Sequence, residues 1–536
     1  MNMDPLSSAR EALAAGDWAG ARTLYEAALQ ERECSEAFEG LSESLWWLND
    51  ATAAIRTRER AYTLARQSGD LAAAIRAAVW LSRGHATGFG NAAASDGWLA
   101  RAETLAEEAG PIVERAYVEL MRAKKAGDPE TAACHASRAM AIARELGDVD
   151  FEMFARSELG RALVTRGNIT EGMRQLDEAV AAATGGEMTQ LTLIGDTCCN
   201  MVSACERAAD YARLSQWFRV VDDFCKRHEC MSMLTYCRTL FGGALMTAGR
   251  WREAERELLT VVRACDGGYP PLRTAAFARL AMLRVREGRF DEARSLLTGI
   301  EEQRAAAETV AALELATGNA SAAAVVLRRC LRDADEDPIT AVPLLDSFVA
   351  AMVALDDREQ AGVAASRLSN VADRANRTAF RAYAERAAAR VQQSAESFET
   401  AAELFDRAAM PFDAAVCRLE LAEQVAETNP QTAAFDARTA FDCFDRLGAR
   451  AYADRAAQLL RSLGVRGRPT PRSTELLTRR ERQVFDLVRA GLSNAEIGER
   501  LFISAKTVEH HVSRILSKLG TRNRVEMATI VEFGTK

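Results

Sequence analysis

The sequence predicts an all-α protein, a long solenoid of helical hairpins followed by a separate four-helix unit. Three observations carry this. Only 11 prolines occur in 536 residues, with 48% hydrophobic and 27% charged residues, a balance that favours helices around a substantial core. A short pattern recurs through the first 460 residues: a turn residue, a small residue five positions on, then an apolar run. After residue 475 that pattern stops and a series of helix-start signals replaces it.

Clear copies of the pattern begin at Gly16, Asn49, Gly127, Gly167, Gly249, Gly288 and Gly318, with weaker echoes at Asp356, Glu396 and Asn429. Gly or Asn closes a helix because the turn needs a left-handed residue. Ala21, Ala132, Ala254, Ala293 and Ala323 then let the next helix approach, and Leu24, Leu176 and Leu296 are expected to fill the groove. A hairpin this short cannot bury its own apolar stripe, so neighbours must stack into one continuous core. The repeats resemble tetratricopeptide-type hairpins, a resemblance that implies a surface for peptides, partner proteins or small molecules. Trp18, Trp46, Trp47, Trp80 and Trp98 gather in the first hundred residues, either lining a ligand pocket or capping the first repeats' core.

Catalytic constellations are missing from the sequence. No Gly-Lys dipeptide occurs, which excludes a Walker A phosphate loop. His85 and His135 stand alone, and neither a nucleophile elbow nor an H-E-x-x-H helix is present. No enzyme activity is expected. Of the 12 cysteines, Cys198/Cys205 and Cys230/Cys237 are spaced seven apart, roughly 10 Å along a helix, too far to share one zinc ion. Only Cys225 and His228 are spaced to clamp together. The expectation is therefore buried thiols, with no metal and no cofactor. The N-terminus lacks a basic and apolar leader, and no apolar run approaches 18 residues, so a soluble, cytoplasmic chain without membrane contact is expected.

Charge is unevenly divided. Residues 461–536 carry 15 Lys and Arg against 8 Asp and Glu, leaving the acidic excess to residues 1–460. A basic tail on an acidic body points to a polyanion at the tail. The expected division is 1–462 solenoid, 463–474 linker rich in Gly, Pro and Arg, and 475–536 a compact unit.

In that last unit Thr478 with Glu481, Ser493 with Glu496, and Asn523 with Glu526 are capping boxes, and Ser504 caps a further helix. Only "LFIS" joins the second and third helices, as a helix-turn-helix requires. Rotating the third helix by about 100° per residue puts Val508, Val512, Ile515, Leu516 and Leu519 on one side. Lys506, His510, Ser513, Arg514 and Ser517 lie opposite, Thr507 and Glu509 fall at the edges, and His511 falls on the core flank. This splits the Glu509-His510-His511 cluster, which suits a major-groove helix better than a metal or catalytic site.

The stretch "LTRRERQVFDLVRAGLSNAEIGERLFISAKTVEHHVSRILSKLG" resembles the LuxR-type DNA-binding domain. Leu477, Thr478, Arg480 and Glu481 match its opening, Gly491, Ser493, Asn494, Glu496 and Ile497 its middle, and Thr507, Val508, His511, Ile515, Lys518 and Leu519 its third helix. The resemblance implies base reading by Glu509, His510 and Ser513. Many members carry Lys or Arg at two of these positions. Here Glu509 suits cytosine N4, while His510 suits guanine or a thymine methyl. Phosphate contacts are expected from Lys506, Thr507, Arg514 and Lys518, and from the helix starts at Ser493, Asn494 and Ser504. The family's dimer helix falls on Val525, Ala528 and Val531. The N-terminal region resembles the sensor of the large MalT-like regulators, without their ATPase module. The resulting expectation is a sequence-specific transcriptional regulator, an activator, whose solenoid senses a small molecule or protein. Its partners would be double-stranded DNA, a second copy on DNA, and RNA polymerase. The alternative is a scaffold whose tail is a protein-binding bundle.

Overall fold

A computed structural model describes residues 4–228, 231–265, 270–334, 337–465, 477–519, 523–524 and 527. Within them lie 28 α-helices and one short 3-10 turn, and no strand. The chain divides into two compact units, Met1–Val391 and Gln392–Lys536.

In the first unit, consecutive helices pair as antiparallel hairpins. The first members of successive hairpins also touch one another, as Val149–Thr165, Leu191–Arg207, Met231–Thr247 and Pro270–Glu287 do in series. They form an inner layer, with the second members outside. The layer curves far enough for Leu71–Phe89 to meet Pro270–Glu287 and for Val149–Thr165 to meet Pro338–Ala354. Polar contacts stitch these returns together: Arg207 Nη2 donates to Asp337 at 2.6 Å, and Arg377 Nε donates to the Ala208 carbonyl at 2.9 Å.

Local sequence accounts for the hairpins. Asp17, Asp50, Asp70, Asn91, Asp128 and Asp148 each accept from a backbone N–H three residues on, satisfying one of the donors a helix start leaves open. Gly16, Asn49, Gly167, Gly249, Gly288 and Gly318 are left-handed, with φ between 66° and 96°. Gly127 is not among the left-handed residues; there Ala126 ends one helix and Asp128 caps the next. Ala21, Ala254, Ala293 and Ala323 are fully buried. The groove-filling residue needs correction. Leu24 and Leu296 are half-buried, while Tyr25 and Leu297, four residues after the small Ala, are buried. Four residues return to the same helix face and three fall short of it. Leu176 keeps its expected place because it lies four after Gly172. There two helices cross at glycines, since a Cβ at Gly160 would lie 2.7 Å from the Gly172 carbonyl oxygen.

Trp18, Trp46 and Trp47 are buried in the core, while Trp80 and Trp98 are half-buried. Trp18 stacks on Trp47 at 5.4 Å and Trp46 meets Trp80 edge-on at 5.1 Å. The cavity beside Trp46, Trp47 and Trp80 is about 10 Å³, room for one water at most. Cys198, Cys199, Cys205, Cys225 and Cys237 are buried, and Cys199 Sγ lies 2.9 Å from Cys237 Sγ. Cys230 lies outside the described residues. Among those described, no three His, Cys, Asp or Glu side chains are grouped to hold a metal ion. No described helix is long and apolar enough to cross a membrane.

Ion pairs are buried inside this unit. Burial pushes the Glu158 carboxyl up, but Lys124 and Arg161, with a hydrogen bond from Asn200, bring it down to about 2. Asp346 is held by Arg386 at 2.8 Å and Arg390 at 3.1 Å, with Asp346 and Arg386 both nearly inaccessible.

The second unit contains two further hairpins, Ala395–Arg407 with Pro411–Val425 and Pro430–Leu447 with Arg450–Ser462. The helices Arg479–Arg489, Asn494–Leu501 and Ala505–Leu519 follow. Most of the expected linker, from residue 466 on, lies outside the described residues.

Candidate nucleic-acid interface

The three C-terminal helices are started as their sequence dictates. The Thr478 N–H donates to Glu481 Oε2 at 3.0 Å, and the Glu481 N–H donates back to Thr478 Oγ1 at 3.2 Å. Ser493 and Glu496 form the same reciprocal pair. Ser504 Oγ accepts from the Thr507 N–H at 3.0 Å and lies 2.7 Å from the Thr507 hydroxyl. Each cap satisfies donors that would otherwise be orphaned at a helix start.

The turn between the second and third helices is tight. Phe502 closes the second helix with φ 56° and is 95% exposed. A Cβ at Gly498 would lie 2.7 Å from the Ile503 carbonyl oxygen, so the chain can fold back over that position only because it is glycine. Beneath, Val484, Phe485, Val488, Ile497, Val508, Val512, Ile515 and Met527 share one core. The third helix is thus fixed by the stripe expected for it, apart from Leu519, whose side chain lies outside the described residues.

Its outer face carries Lys506, Glu509 and Ser513, all exposed. Thr507 and His510 are half-buried, and His510 Nε2 has no hydrogen-bond partner among the described residues. His511 is 4% exposed and belongs to the packing, as the helix rotation indicates. Burial, more than its charged neighbours, lowers its pKa below the ordinary imidazole value.

Besides Ser493, Ser504 and Thr507 with their cap bonds, two more expected DNA contacts have partners inside the protein. Asn494 Oδ1 accepts from Arg524 Nη1 at 2.6 Å, and Arg524 also donates to the Leu492 carbonyl. Arg524 thereby reaches back to the start of the second helix. Arg514, placed outward by the helix rotation, is only 14% exposed. Its Nη1 donates to Glu403 Oε1 at 2.9 Å, and its Nε lies 3.6 Å from Glu481 Oε1. Burial works against the Arg514 charge, but Glu481, Asp436, Glu403 and Glu399 outweigh it and hold its proton more firmly. Glu403 also lies 3.7 Å from His511 Nδ1. Glu399, Glu403 and Asp436 stand on the preceding hairpins, so an acidic patch there meets the side of the third helix where a phosphate is expected. No local sequence signal points to Glu403 or Arg524; both pairings are long-range, and only compensating substitutions across relatives could have revealed them. The Lys518 side chain and residues Val525, Ala528 and Val531 lie outside the described residues.

Residues 475–531 match the family of bacterial regulatory proteins of the LuxR type. The C-terminal domain is a LuxR-type helix-turn-helix. The similarity extends to curated proteins of several bacteria. An HTH-type transcriptional regulator of Mycobacterium tuberculosis is 43% identical over 88 residues, which are 16% of this chain and 10% of the relative. The transcriptional regulatory protein LiaR of Bacillus subtilis is 48% identical over 54 residues, 10% of this chain and 26% of that protein. This chain therefore matches a tenth to a quarter of these relatives' lengths. Among solved structures, the APC/C hetero-tetramer Cut9–Hcn1 aligns with 98% of this chain and 94% of that chain, at 13% identity and a TM-score of 0.34. Superposition that loose adds nothing to the hairpin geometry above.

Proposed function

We propose that this chain is a sequence-specific DNA-binding transcriptional regulator, an activator, with residues 1–462 sensing an effector, 463–474 linking, and 475–536 reading DNA. The observation that carries the reading is the row Lys506, Glu509 and Ser513, exposed along one face of a helix that starts immediately after a glycine-dependent turn. Such a helix fits the major groove, with its early residues toward base edges. Glu509 and His510 select bases, Ser513 supports them, and Lys506, Thr507, Arg514 and Lys518 hold phosphates. The amides at Ser493, Asn494 and Ser504 add phosphate contacts at helix starts. On DNA the protein acts as a homodimer through Val525, Ala528 and Val531 and recruits RNA polymerase; the effector is a small molecule or a protein on the solenoid, and the setting is the cytoplasm.

The Arg514–Glu403 pair supports coupling between sensor and reader, because a phosphate and Glu403 compete for one guanidinium. In vitro selection from random duplex DNA with the full chain tests the reading. Enrichment of a palindrome with half-sites about one helical turn apart is the expected result; recovery of unenriched sequence overturns it.

A further inference from the structure

The inner layer of the first unit encloses a groove of about 430 Å³ lined by residues of Leu191–Arg207, Met231–Thr247, Pro270–Glu287, Arg304–Ala306, Ala307–Ala316, Pro338–Ala354 and Thr378–Gln392, among others. That volume is within the range of small-molecule sites, roughly 300–1,000 Å³. Its wall is of two kinds. Met246, Met282, Leu344 and Phe380 supply an apolar side, and the guanidiniums of Arg207, Arg279, Arg286 and Arg304 supply a cationic one against the carboxylates of Glu206 and Glu308. A second chamber of about 340 Å³ shares Arg207, Arg304 and Thr340 and adds Lys124 and Arg161.

The cations are not equally committed. Arg279 donates to Glu206 at 2.6 Å, and this pair lies over Gly243, where a Cβ would come within 2.9 Å of Arg279 Nε. Arg207 gives Nη2 to Asp337, while its buried Nε has no hydrogen-bond partner among the described residues. Arg304 is exposed and makes no ion pair among the described residues. Arg207 and Arg304 therefore stand at the junction of both chambers with donors to spare, and a guanidinium's planar fork matches carboxylate or phosphate oxygens.

We propose that this groove binds an amphipathic organic anion, its apolar body along Met246, Met282, Leu344 and Phe380 and its acid group on Arg207 and Arg304. The assignment rests on the reading of the solenoid as the sensor and names the chemistry of what it senses. Cations are disfavoured by the guanidiniums, and a neutral molecule would leave the buried Arg207 Nε without the charge-assisted bond that an anion supplies.

The test is a calorimetric and fluorescence titration of the full chain with 8-anilinonaphthalene-1-sulfonate, an apolar anion, and with its neutral analogue N-phenyl-1-naphthylamine. One saturable site for the anion is expected, with the neutral analogue weaker by about tenfold or more, the loss of one charge-assisted bond. Arg304→Glu, at an exposed position, should weaken the anion by at least as much while melting like the parent. Arg174→Glu, an exposed change outside the groove, should leave binding unaltered. Displacement by 2-naphthoate or by 2-naphthyl phosphate tells which acid group is preferred; displacement by neither overturns the site. Equal binding of the neutral analogue, or an Arg304→Glu protein that binds as before, also overturns it. Failure of this titration leaves the duplex selection untouched, and failure of the selection leaves the titration standing, so the two readings fall separately.

Discussion

Replacing Glu403 by Gln should strengthen DNA binding by the full chain, although Glu403 is not on the reader helix. The argument is competitive. Arg514 Nη1 donates to Glu403 Oε1 at 2.9 Å, with side-chain exposures of 14% and 24%. A hydrogen bond to a charged group contributes about 1.5–3 kcal/mol, whereas an exposed ion pair contributes roughly 0–1 kcal/mol. Partial burial places this pair near the boundary, at about 1.5 kcal/mol, and such a loss corresponds to roughly a tenfold change in affinity. Gln keeps the size of the side chain and removes its charge, so Arg514 is released toward phosphate without opening a cavity. Fluorescence anisotropy on a labelled duplex at two salt concentrations reads the effect. The expected result is affinity raised by up to about tenfold and a steeper salt dependence, because one more phosphate is neutralised. Arg514→Gln should then cost more affinity in the Glu403→Gln background than in the parent. Unchanged or weaker binding by Glu403→Gln refutes the competition.

Three further expectations concern other residues. Lys506→Ala should weaken binding to every duplex alike and lower the salt slope by about 1; anisotropy across unrelated sequences checks this, and a sequence-dependent loss contradicts it. Because burial lowers the His511 pKa, the unfolded chain takes up its proton first as pH falls. Stability from this group is complete above the ordinary imidazole value, about 6.5, and is lost as pH drops through the lower folded value. Thermal melts between pH 7.5 and 5.5 should show this loss, and His511→Gln should reduce its pH dependence. Asp346→Ala removes the buried carboxylate that binds both Arg386 and Arg390 and should cost about 3–5 kcal/mol, measured as a lowered denaturation midpoint; a cost below 1 kcal/mol contradicts the assigned role.

Features set by neighbouring residues were legible in the sequence. Two capping boxes, at Thr478/Glu481 and Ser493/Glu496, form with both reciprocal bonds. The core stripe of the third helix and the inward His511 also match, because one helical rotation determines them together. The hairpins were legible for the same reason, since a left-handed residue followed by a small one is local chemistry. The error at Leu24 and Leu296 was one of helix phase, as counting four residues from the small Ala gives Tyr25 and Leu297. What stayed hidden depends on residues far apart in the chain. Arg514 is separated from Glu403 by 111 positions and Asn494 from Arg524 by 30, and no periodicity links such pairs. The inner groove is likewise assembled from helices far apart in the chain and leaves no contiguous motif.

The central claim is that the helix Ala505–Leu519 reads base sequence. The most direct measurement is parallel in vitro selection from random duplex DNA with the parent chain and with Glu509→Gln, both full length. The account predicts a palindrome in both, with the same half-site spacing and a preference relaxed at one base pair per half-site, a change of roughly 1–3 kcal/mol there. An identical motif from the two proteins would show that this face does not read the bases, and no motif from either would remove sequence-specific recognition altogether.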